Sequence, residues 1–445
     1  MQSKNIVPRP IRLLFFCLLL ALTSARCGPS DEESNGGGVP VNLAPATVRW
    51  TTWDNSSQAE QTLMDQFRAD NPQIEFQRTT LDSAVRNALK ETPPPDLINV
   101  DVEYDFDELI RQNQLADLTD LWEQTGLREQ LPPPLQRLSE HDGKQHYIPL
   151  GFGWVGFYYN KQIFATYNLQ PPQTWDEFLQ ICETLRLNGE TPLAIAGNEA
   201  WSSYAWFEYI DLRLNGLEFH RALLQGKERF DDARVRNTLE TWKSLFDQGY
   251  FVQEPQLMGG MNSVIALVRS EKAKVLTHEK AVMALGDAYV ASQIPALFLN
   301  ELGFFRFPIM DPAIPTVEIV DAFGYVIPVG ADHSAQALAF LAHVSSAKAQ
   351  AIVAQQGLFS SVTYAPARMD VDPAGLRFDQ QGALEAIKTA NELVPFMWLT
   401  LPDETWGMMT YHFDRFVRVR EVDPFITKLE EAMQAGKKKG LFPEQ

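Results

Sequence analysis

The chain has 445 residues, more than the roughly 250–300 that one hydrophobic core supports, so we expect at least two lobes. Hydrophobic residues make up 45% and charged residues 21%, a globular balance that excludes a wholly disordered or collagen-like chain. The 38 Lys and Arg against 57 Asp and Glu give a net charge of −19, which argues against nucleic acid as a partner because a negative surface repels phosphates.

The first segment of the chain has the pattern of a signal peptide. Lys4, Arg9 and Arg12 precede the apolar run 13–22, LLFFCLLLAL. About ten apolar residues suffice for a signal peptide, whereas a membrane-spanning helix needs about twenty. The pattern predicts an exported protein in the cell envelope, either periplasmic or on the outer face of the cytoplasmic membrane.

The segment behind that run carries a cysteine and a polar tether. Cys27 precedes the tether 28–45, which is rich in Gly, Ser and acidic residues. This placement resembles the lipid-attachment cysteine of bacterial lipoproteins, with 1–27 as the leader and its attachment site. Arg26 departs from the small residue usual before that cysteine, so cleavage after Ala25, which would release a soluble protein, is the alternative.

From Ala46 onward, short apolar runs alternate with amphipathic helical patterns, which is typical of an α/β architecture. Strands are predicted at 47–53, 74–77, 97–100 and 323–328. Helices are predicted around 63–67, at 106–115, from 175, from about 200, at 235–246 and at 335–355.

Two segments carry more specific local signals. The longest extended segment is 147–160, in which Pro149 and several glycines interrupt strand pairing, so we expect this strand to leave one sheet and enter another. Thr174 and Glu177 have the spacing of a capping box, which predicts that a helix begins at Trp175.

A succession of short motifs, in order along the chain, resembles the extracellular sugar-binding proteins of bacterial ABC importers, the maltose-binding-protein-like group. The motifs are PDLINVD at 95–101, DGK at 142–144, YIP at 147–149, YNKQIF at 159–164, PPQTWDEF at 171–178, GETPL at 189–193, AVMALGD at 281–287 and FFRFP at 304–308. Each motif is weak alone, but their order is specific.

The resemblance implies a two-lobed α/β fold of the periplasmic-binding-protein type, with a ligand cleft between lobes joined by hinge-crossing segments. It implies an N-terminal lobe of 46–150 and 275–325 and a C-terminal lobe of 151–274 and 326–445. It also implies a monomeric, non-enzymatic receptor that binds a mono- or oligosaccharide and delivers it to the permease subunits of an ABC importer.

Candidate ligand-binding residues are implied by the family resemblance together with the chemistry of sugars, whose apolar faces stack on flat rings and whose hydroxyls bond to carboxylates. They are Trp53, Asp54 and Asn55 after the first strand, Asp101, Glu103 and Tyr104 after the 97–100 strand, Trp154, Glu199, Trp201, Asp287, Trp398 and Trp406. At least one of the last two is expected to contact ligand. Trp175 and Trp206 are expected to be core, and Ala288, where relatives often carry Trp, leaves ligand size open.

Two alternatives remain. The first is a receptor of the same fold for a non-sugar solute, such as a polyol phosphate, a peptide or a metal chelate. An anionic solute would need Arg or Lys at the strand ends, where this chain has carboxylates and Trp. A secreted glycan hydrolase would need two carboxylates about 5–10 Å apart, which Asp54, Asp101 and Asp287 could supply by accident. The chain has no GxSxG, P-loop, CxxC or HExxH motif, so no enzyme, metal or cofactor is expected.

Overall fold

The structure, a computed structural model, describes residues 43–53, 57–81, 85–101, 106–269, 280–358 and 362–442. These residues all belong to the unit Gly37–Gln445. The leader, Cys27 and most of the tether lie outside the described residues.

The strands and helices of the described residues follow the α/β alternation. The strands are β1 (Ala46–Thr52), β2 (Ile74–Thr80), β3 (Leu97–Asp101), β4 (Glu140–His141), β5 (Lys144–Gln145), β6 (Ile148–Asn160), β7 (Leu193–Ala194), β8 (Met283–Asp287), β9 (Leu302–Phe305), β10 (Val317–Val326), β11 (Ala365–Pro366) and β12 (Glu392–Pro395). The helices are α1 (Gln58–Asp70), α2 (Val85–Ala88), α3 (Phe106–Arg111), α4 (Thr119–Gln124), α5 (Leu127–Gln130), α6 (Pro133–Ser139), α7 (Lys161–Thr166), α8 (Trp175–Leu187), α9 (Ala200–Leu224), α10 (Ala233–Asp247), α11 (Gly260–Ile265), α12 (Ala288–Gln293), α13 (Ala296–Leu299), α14 (Ser334–Val344), α15 (Ala347–Gln356), α16 (Phe378–Thr389), α17 (Met397–Thr400), α18 (Asp403–Val419) and α19 (Val422–Lys438).

Local sequence explains why several helices begin where they do. The capping box of α8 is confirmed: the Glu177 N–H donates to Thr174 Oγ1 at 3.3 Å, and the Thr174 N–H donates to Glu177 Oε2 at 3.1 Å. Each bond satisfies a donor that the first helical turn would otherwise leave unpaired. In α1, Ser57 caps the first turn in a similar way by accepting from the Glu60 N–H.

Ten strands form one mixed sheet in the order β2-β1-β3-β10-β6-β8-β7, with β9 and β11 paired to β6 and β12 paired to β10. The pairs β1–β2, β1–β3, β7–β8 and β10–β12 are parallel. The long strands β6 and β10 are antiparallel to each other and join the two ends of the sheet. These two strands therefore connect the regions that hold the parallel pairs.

The strand predicted from the extended segment 147–160 is confirmed as β6. Its neighbours change between Trp154, which pairs with β10, and Val155, which pairs with β8. Where Pro149 and Gly151 lie opposite β10, the register shifts between Phe323 and Gly324. The chain thus passes from one set of strands to another within a continuous strand.

The hydrophobic side chains form two large cores, as expected for a chain of this length. In the first core, residues of α1, α14 and α15 such as Phe340 pack with β1, β3 and the first half of β6. In the second, residues of α8, α9, α10, α18 and α19 pack with β8 and the second half of β6, with Phe157 and Trp206 fully buried. This mixed α/β, two-lobed architecture is the predicted fold class.

Strand pairing bears on the predicted lobe boundaries, which placed 275–325 in the N-terminal lobe. Within that range, β8 pairs with the second half of β6 and with β7, and β9 also pairs with the second half of β6. The C-terminal half of β10 pairs with β3 instead. Hydrogen bonding therefore groups β8 and β9 with strands of the range 151–274.

The single helix predicted at 335–355 is wrong, because this segment forms α14 and α15, which are bent by 75° relative to each other. Ser346 adopts an extended backbone, and its Oγ accepts the Ala349 N–H at 3.2 Å, which begins a new helix. Among the described residues, no single helix is long and apolar enough to cross a membrane, and α14 with α15 meets those criteria only as a bent pair.

Candidate functional site

A cavity of about 340 Å³ opens beside the place where β6 stops pairing with β10 and begins to pair with β8. Gly153 of β6 and Asp321 of β10, which are register partners, both line it. The described lining residues are Gly153, Trp154, Trp201, Tyr204, Asp287, Ala288, Tyr289, Asp321, Val362, Tyr364, Phe396 and Trp398. The set combines aromatic rings with carboxyl groups, and none of its members is Lys, Arg or His.

The cavity draws its walls from both hydrophobic cores. Trp154 and Tyr364 belong to the first core, and Tyr204 and Phe396 belong to the second. Trp201 packs against both. A molecule bound in the cavity would therefore contact residues of both cores at once.

Asp287 ends β8 and begins α12. Its Oδ1 accepts the Val290 N–H at 2.8 Å, so the side chain caps the helix while it lines the cavity. Burial, and to a smaller extent the neighbouring charges of Asp321 and Glu199, raise the pKa of Asp287 to about 7 against the lowering effect of the bond from Val290. Near neutral pH this carboxyl group can therefore accept or donate a hydrogen bond.

Asp321 lies in the middle of β10 and shares a hydrogen bond with Asp101 at the end of β3. Burial raises the pKa of Asp321, and the bond with Asp101 lowers it in part. Two carboxyl groups at hydrogen-bond distance require a proton between them. The buried Oδ1 of Asp321 has no hydrogen-bond partner within the described part of the chain.

Two tyrosines of the cavity wall lie close enough to these carboxyl groups to feel their charges. Burial raises the pKa of Tyr364 well above its ordinary value, and the charges of Asp321, Asp101 and Asp287 raise it further. Burial likewise raises the pKa of Tyr204, with Asp287 and Asp321 among the contributing charges. Both phenols therefore stay protonated and can donate hydrogen bonds to a ligand oxygen.

Trp154 is only 3% exposed, and its ring is held by a chain of hydrogen bonds that leads away from the cavity. Its Nε1–H donates to Tyr158 Oη at 3.2 Å, and Tyr158 Oη donates to Asp379 Oδ2 at 2.9 Å. Arg377 closes the chain with an ion pair to Asp379 at 2.8 Å. The indole therefore faces the cavity in a fixed orientation, with its donor already satisfied.

Trp201 and Glu199 lie together at the start of α9, as the sequence predicted. The Trp201 Nε1–H donates to Glu199 Oε2 at 2.9 Å. Gly259 and Gly260 lie against this carboxylate, and a Cβ added to either glycine would come within 2.7–2.8 Å of its oxygens. Glu199 thus orients the Trp201 ring and is not itself among the lining residues.

The sequence did not choose between Trp398 and Trp406, and the structure places only Trp398 on the described wall. Trp398 is 37% exposed. Trp406 lies behind Tyr204, in edge-to-face contact with 4.9 Å between ring centroids. Trp206 is fully buried and Trp175 stacks on Phe178, so both are core residues as predicted.

A buried ionic group supports the wall that carries Trp398. The Met397 N–H donates to Glu208 Oε1 at 2.7 Å. His220 lies between Glu208 and Asp211, and its Nδ1 is 2.8 Å from Asp211 Oδ2. The group anchors the first turn of α17, which carries Trp398, to α9.

Of the candidates near the first strands, Trp53 and Asp101 are described. Trp53 is half-buried and packs against the first core and a smaller core beside β3, outside the set of lining residues. Asp101 lies behind the wall, bonded to Asp321. Asp54, Asn55, Glu103 and Tyr104 lie outside the described residues.

Sequence reasoning missed Asp321, Tyr204 and Tyr364. Asp321 had a usable signal, because a charged residue within the apolar strand Val317–Val326 is unusual unless it is paired or functional. Tyr204 lies one helical turn beyond Trp201 on α9, the helix that the sequence already singled out. Tyr364 lies in a connecting segment before β11, where no local pattern distinguishes it.

Within the described ranges, no group of three or more His, Cys, Asp or Glu side chains is arranged to hold a metal ion.

Comparison with known proteins places these features in a family. The sequence model described as "Bacterial extracellular solute-binding protein" matches residues 51–351. An uncharacterised ABC transporter extracellular-binding protein of Pyrococcus horikoshii is 22% identical over 241 residues, covering 51% of this chain and 54% of the relative. A probable sugar-binding periplasmic protein of Mesorhizobium japonicum is 26% identical over 284 residues, covering 62% and 63%. The chain thus spans less than two thirds of either relative.

Solved structures agree on the fold. The bacterial solute receptor AcbH, for which an exclusive preference for β-D-galactopyranose is stated, matches with a TM-score of 0.77 at 19% identity. The match covers 90% of this chain and 100% of that one. At this identity the likeness concerns the fold, which is that of a two-lobed solute receptor.

Proposed function

The chain belongs to the family of bacterial extracellular solute-binding proteins, and on that premise we propose that it is the saccharide receptor of an ABC importer. The observation that carries the proposal is the cavity beside β6 and β10, because its walls come from both cores and combine rings with carboxyl groups. A sugar needs both, since its C–H faces stack on rings and its hydroxyls bond to oxygens.

Each kind of lining group has a separate role in the proposal. Trp154, Trp201 and Trp398 offer flat surfaces for the faces of a pyranose ring. Asp287 and Asp321 bind hydroxyl groups, and Tyr204 and Tyr364 donate to ring or hydroxyl oxygens. An epimer that leaves one of these buried groups unpaired would lose about 1–3 kcal/mol, which is the basis of selectivity.

We infer that ligand binding draws the two lobes together. β6 and β10 carry the chain between the groups of strands, so they are the natural hinge elements, and a ligand that touches both cores stabilises the closed state. Strand pairing supports boundaries that assign β8 and β9 to the C-terminal lobe. Closure would be seen as a smaller radius of gyration on ligand addition in solution scattering.

Titration calorimetry of the purified chain against a panel of mono-, di- and trisaccharides tests the proposal. At least one neutral or substituted sugar should bind with a dissociation constant in the micromolar range or below, and binding should change the tryptophan fluorescence, since three indoles line the cavity. Absence of binding at millimolar concentration across the panel would contradict it. Release of reducing sugar from added glycans would favour a hydrolase instead.

The finer parts of the proposal concern location and partners. We propose that the protein is exported, held at the membrane through lipid on Cys27, monomeric, and paired with permease subunits that receive its ligand. The basic and apolar leader and the cysteine before a polar tether support this placement. Mass spectrometry of the mature protein decides it, because an unmodified Arg26 or Cys27 at the N-terminus would contradict the lipid anchor.

A further inference from the structure

The acidic side chains of this protein fall into two groups. Seven are buried among the described residues, and each has an Arg or His partner within 4 Å. The pairs are Glu60–Arg78, Asp96–His333, Glu208–His220, Asp211–His220, Glu318–Arg213, Asp379–Arg377 and Glu430–Arg229. The fold therefore supplies a cation wherever it buries an acid for its own stability.

The two acids on the cavity wall do not follow this rule. Neither Asp287 nor Asp321 forms an ion pair with a Lys, Arg or His among the described residues, and other acids are among their neighbours on the cavity wall. Asp321 Oδ1 is buried and without a hydrogen-bond partner in the described part of the chain. The described residues therefore supply no counter-charge at this site, in contrast to the seven buried acids.

The surroundings of these acids fit a positive guest. Trp154, Tyr204 and Tyr364 present aromatic rings to the same cavity, and ring faces attract ammonium groups. The net charge of −19 also favours the approach of a cation over that of an anion.

We propose that the ligand is an amino sugar whose protonated amine binds between Asp287 and Asp321. The ammonium group provides the counter-charge that the described residues do not supply, and it donates to Asp321 Oδ1, which has no partner among them. The sugar ring lies against the indoles, and sugars with a carboxylate are excluded by repulsion from the same acids. This inference rests on the saccharide-receptor function proposed above and names its substrate class.

The test compares sugars that share a ring and differ in one substituent, which is neutral, positively charged or negatively charged. Calorimetry at pH 7 would use glucosamine, galactosamine and mannosamine, the parent hexose of each, and the uronates of the gluco and galacto series. Cellobiose and cellotriose, with their counterparts that carry free amines, extend the comparison to longer ligands. We expect the amine to bind at least tenfold more tightly than its neutral parent, and the uronate to bind more weakly than either.

Two variants connect this preference to the named residues. Asp321→Asn and Asp287→Asn keep hydrogen-bonding capacity, and Asn can still cap α12, but each removes a charge. Each should lower amine binding at least tenfold and reduce the ratio of amine to neutral-parent affinity, whatever the variant's effect on binding of the neutral parent itself. Asp332→Asn, which alters an exposed acid outside the cavity, is the matched control and should retain the preference.

The outcomes separate the inference from the function on which it rests. A neutral sugar that binds as tightly as its amine would overturn the inference and leave the receptor function standing. An amine preference that survives both cavity variants would overturn it as well. If no sugar of any charge binds, the receptor function fails and the inference fails with it.

Discussion

Glu318 and Asp321 lie three residues apart on the same strand, β10, yet their surroundings are opposite. Glu318 is buried and bonded to Arg213 at 2.8 Å and to Tyr209 at 3.0 Å. Asp321 opens on the cavity and has an acid, Asp101, as its hydrogen-bond partner. One strand thus holds a carboxylate whose partners come from within the fold and another that is left for a partner from outside.

The difference teaches how to separate structural from functional charges in this molecule. A buried ion costs several kcal/mol in lost solvation, and the fold offsets this cost at Glu318 with a guanidinium and a phenol. At Asp321 the cost is only partly offset, because burial raises its pKa and no cation of the described chain acts on it. Incomplete pairing on the cavity wall therefore supports the ligand site that we propose there.

The largest effect on stability is expected when the buried ion pair between Arg213 and Glu318 is broken. Arg213→Met should lower the free energy of unfolding by about 3–5 kcal/mol, because it leaves Glu318 buried without a counter-charge. Urea denaturation measures this change. Arg186→Met, which breaks an exposed pair with Glu183, is the matched control and should have little effect. If both substitutions lowered the free energy of unfolding by a similarly small amount, the contrast between Glu318 and Asp321 would lose its basis.

The buried histidine group predicts a dependence of stability on pH. Burial alone would lower the pKa of His220, but its bonds to Asp211 and Glu208 raise it from 6.5 to about 9. The stabilisation is therefore fully present below about pH 6.5 and is lost as the pH rises through about 9. The stability difference between the natural protein and His220→Gln should shrink by about 3 kcal/mol across that window. Parallel pH profiles for the two proteins would contradict this assignment.

On the cavity side, the expected effect is on binding rather than on folding. Trp398→Ala should weaken binding of the sugar identified by calorimetry by about 1–3 kcal/mol, because the lost ring is a stacking surface. The midpoint of thermal unfolding of this variant should differ little from that of the natural protein, since the Trp398 side chain is already 37% exposed. Tyr411→Ala removes a ring that is 61% exposed and outside the cavity, and should affect neither quantity. A loss of stability with unchanged affinity would assign Trp398 to the core.

The smallest effect on stability is expected at Asp321, in contrast to Glu318 on the same strand. Asp321→Asn should change the free energy of unfolding by less than about 0.5 kcal/mol at pH 5, and should leave it equal or higher at pH 8. The sign follows from the raised pKa of Asp321: its stabilising contribution is present at low pH and is lost as the pH rises through the folded value. Glu318→Gln should instead destabilise the protein at both pH values. Similar losses of stability from both substitutions would show that Asp321 and Glu318 stabilise the fold to the same extent.

Much of the fold could be predicted, because its signals are local. The apolar run at β3, the cap of α8 and the extended segment of β6 each depend on residues close in sequence. The continuous helix predicted at 335–355 failed where Ser346 competes for the backbone, and an apolar pattern alone does not reveal such a break. Local signals thus identify elements better than they identify interruptions.

The candidate site was predictable mainly where a residue follows a strand or begins a helix, with Trp154 inside β6 as the exception. Asp287 and Trp201 have such positions, and both line the cavity. Trp398 and Trp406 are equivalent as sequence, and only the packing of Trp406 behind Tyr204 separates them. Position along the chain cannot show which of two rings will be covered by another element.

The sequence by itself determined the family, the α/β alternation and the acidic, aromatic composition of the cleft, because these properties reside in the order and chemistry of neighbouring residues. The tertiary structure alone decided that Asp321 faces Gly153 across two antiparallel strands and that Glu318 meets Arg213 while Asp321 meets no cation of the described chain. Those relations depend on strand register and helix packing between distant segments, and a charge acquires its role only from what that packing places beside it.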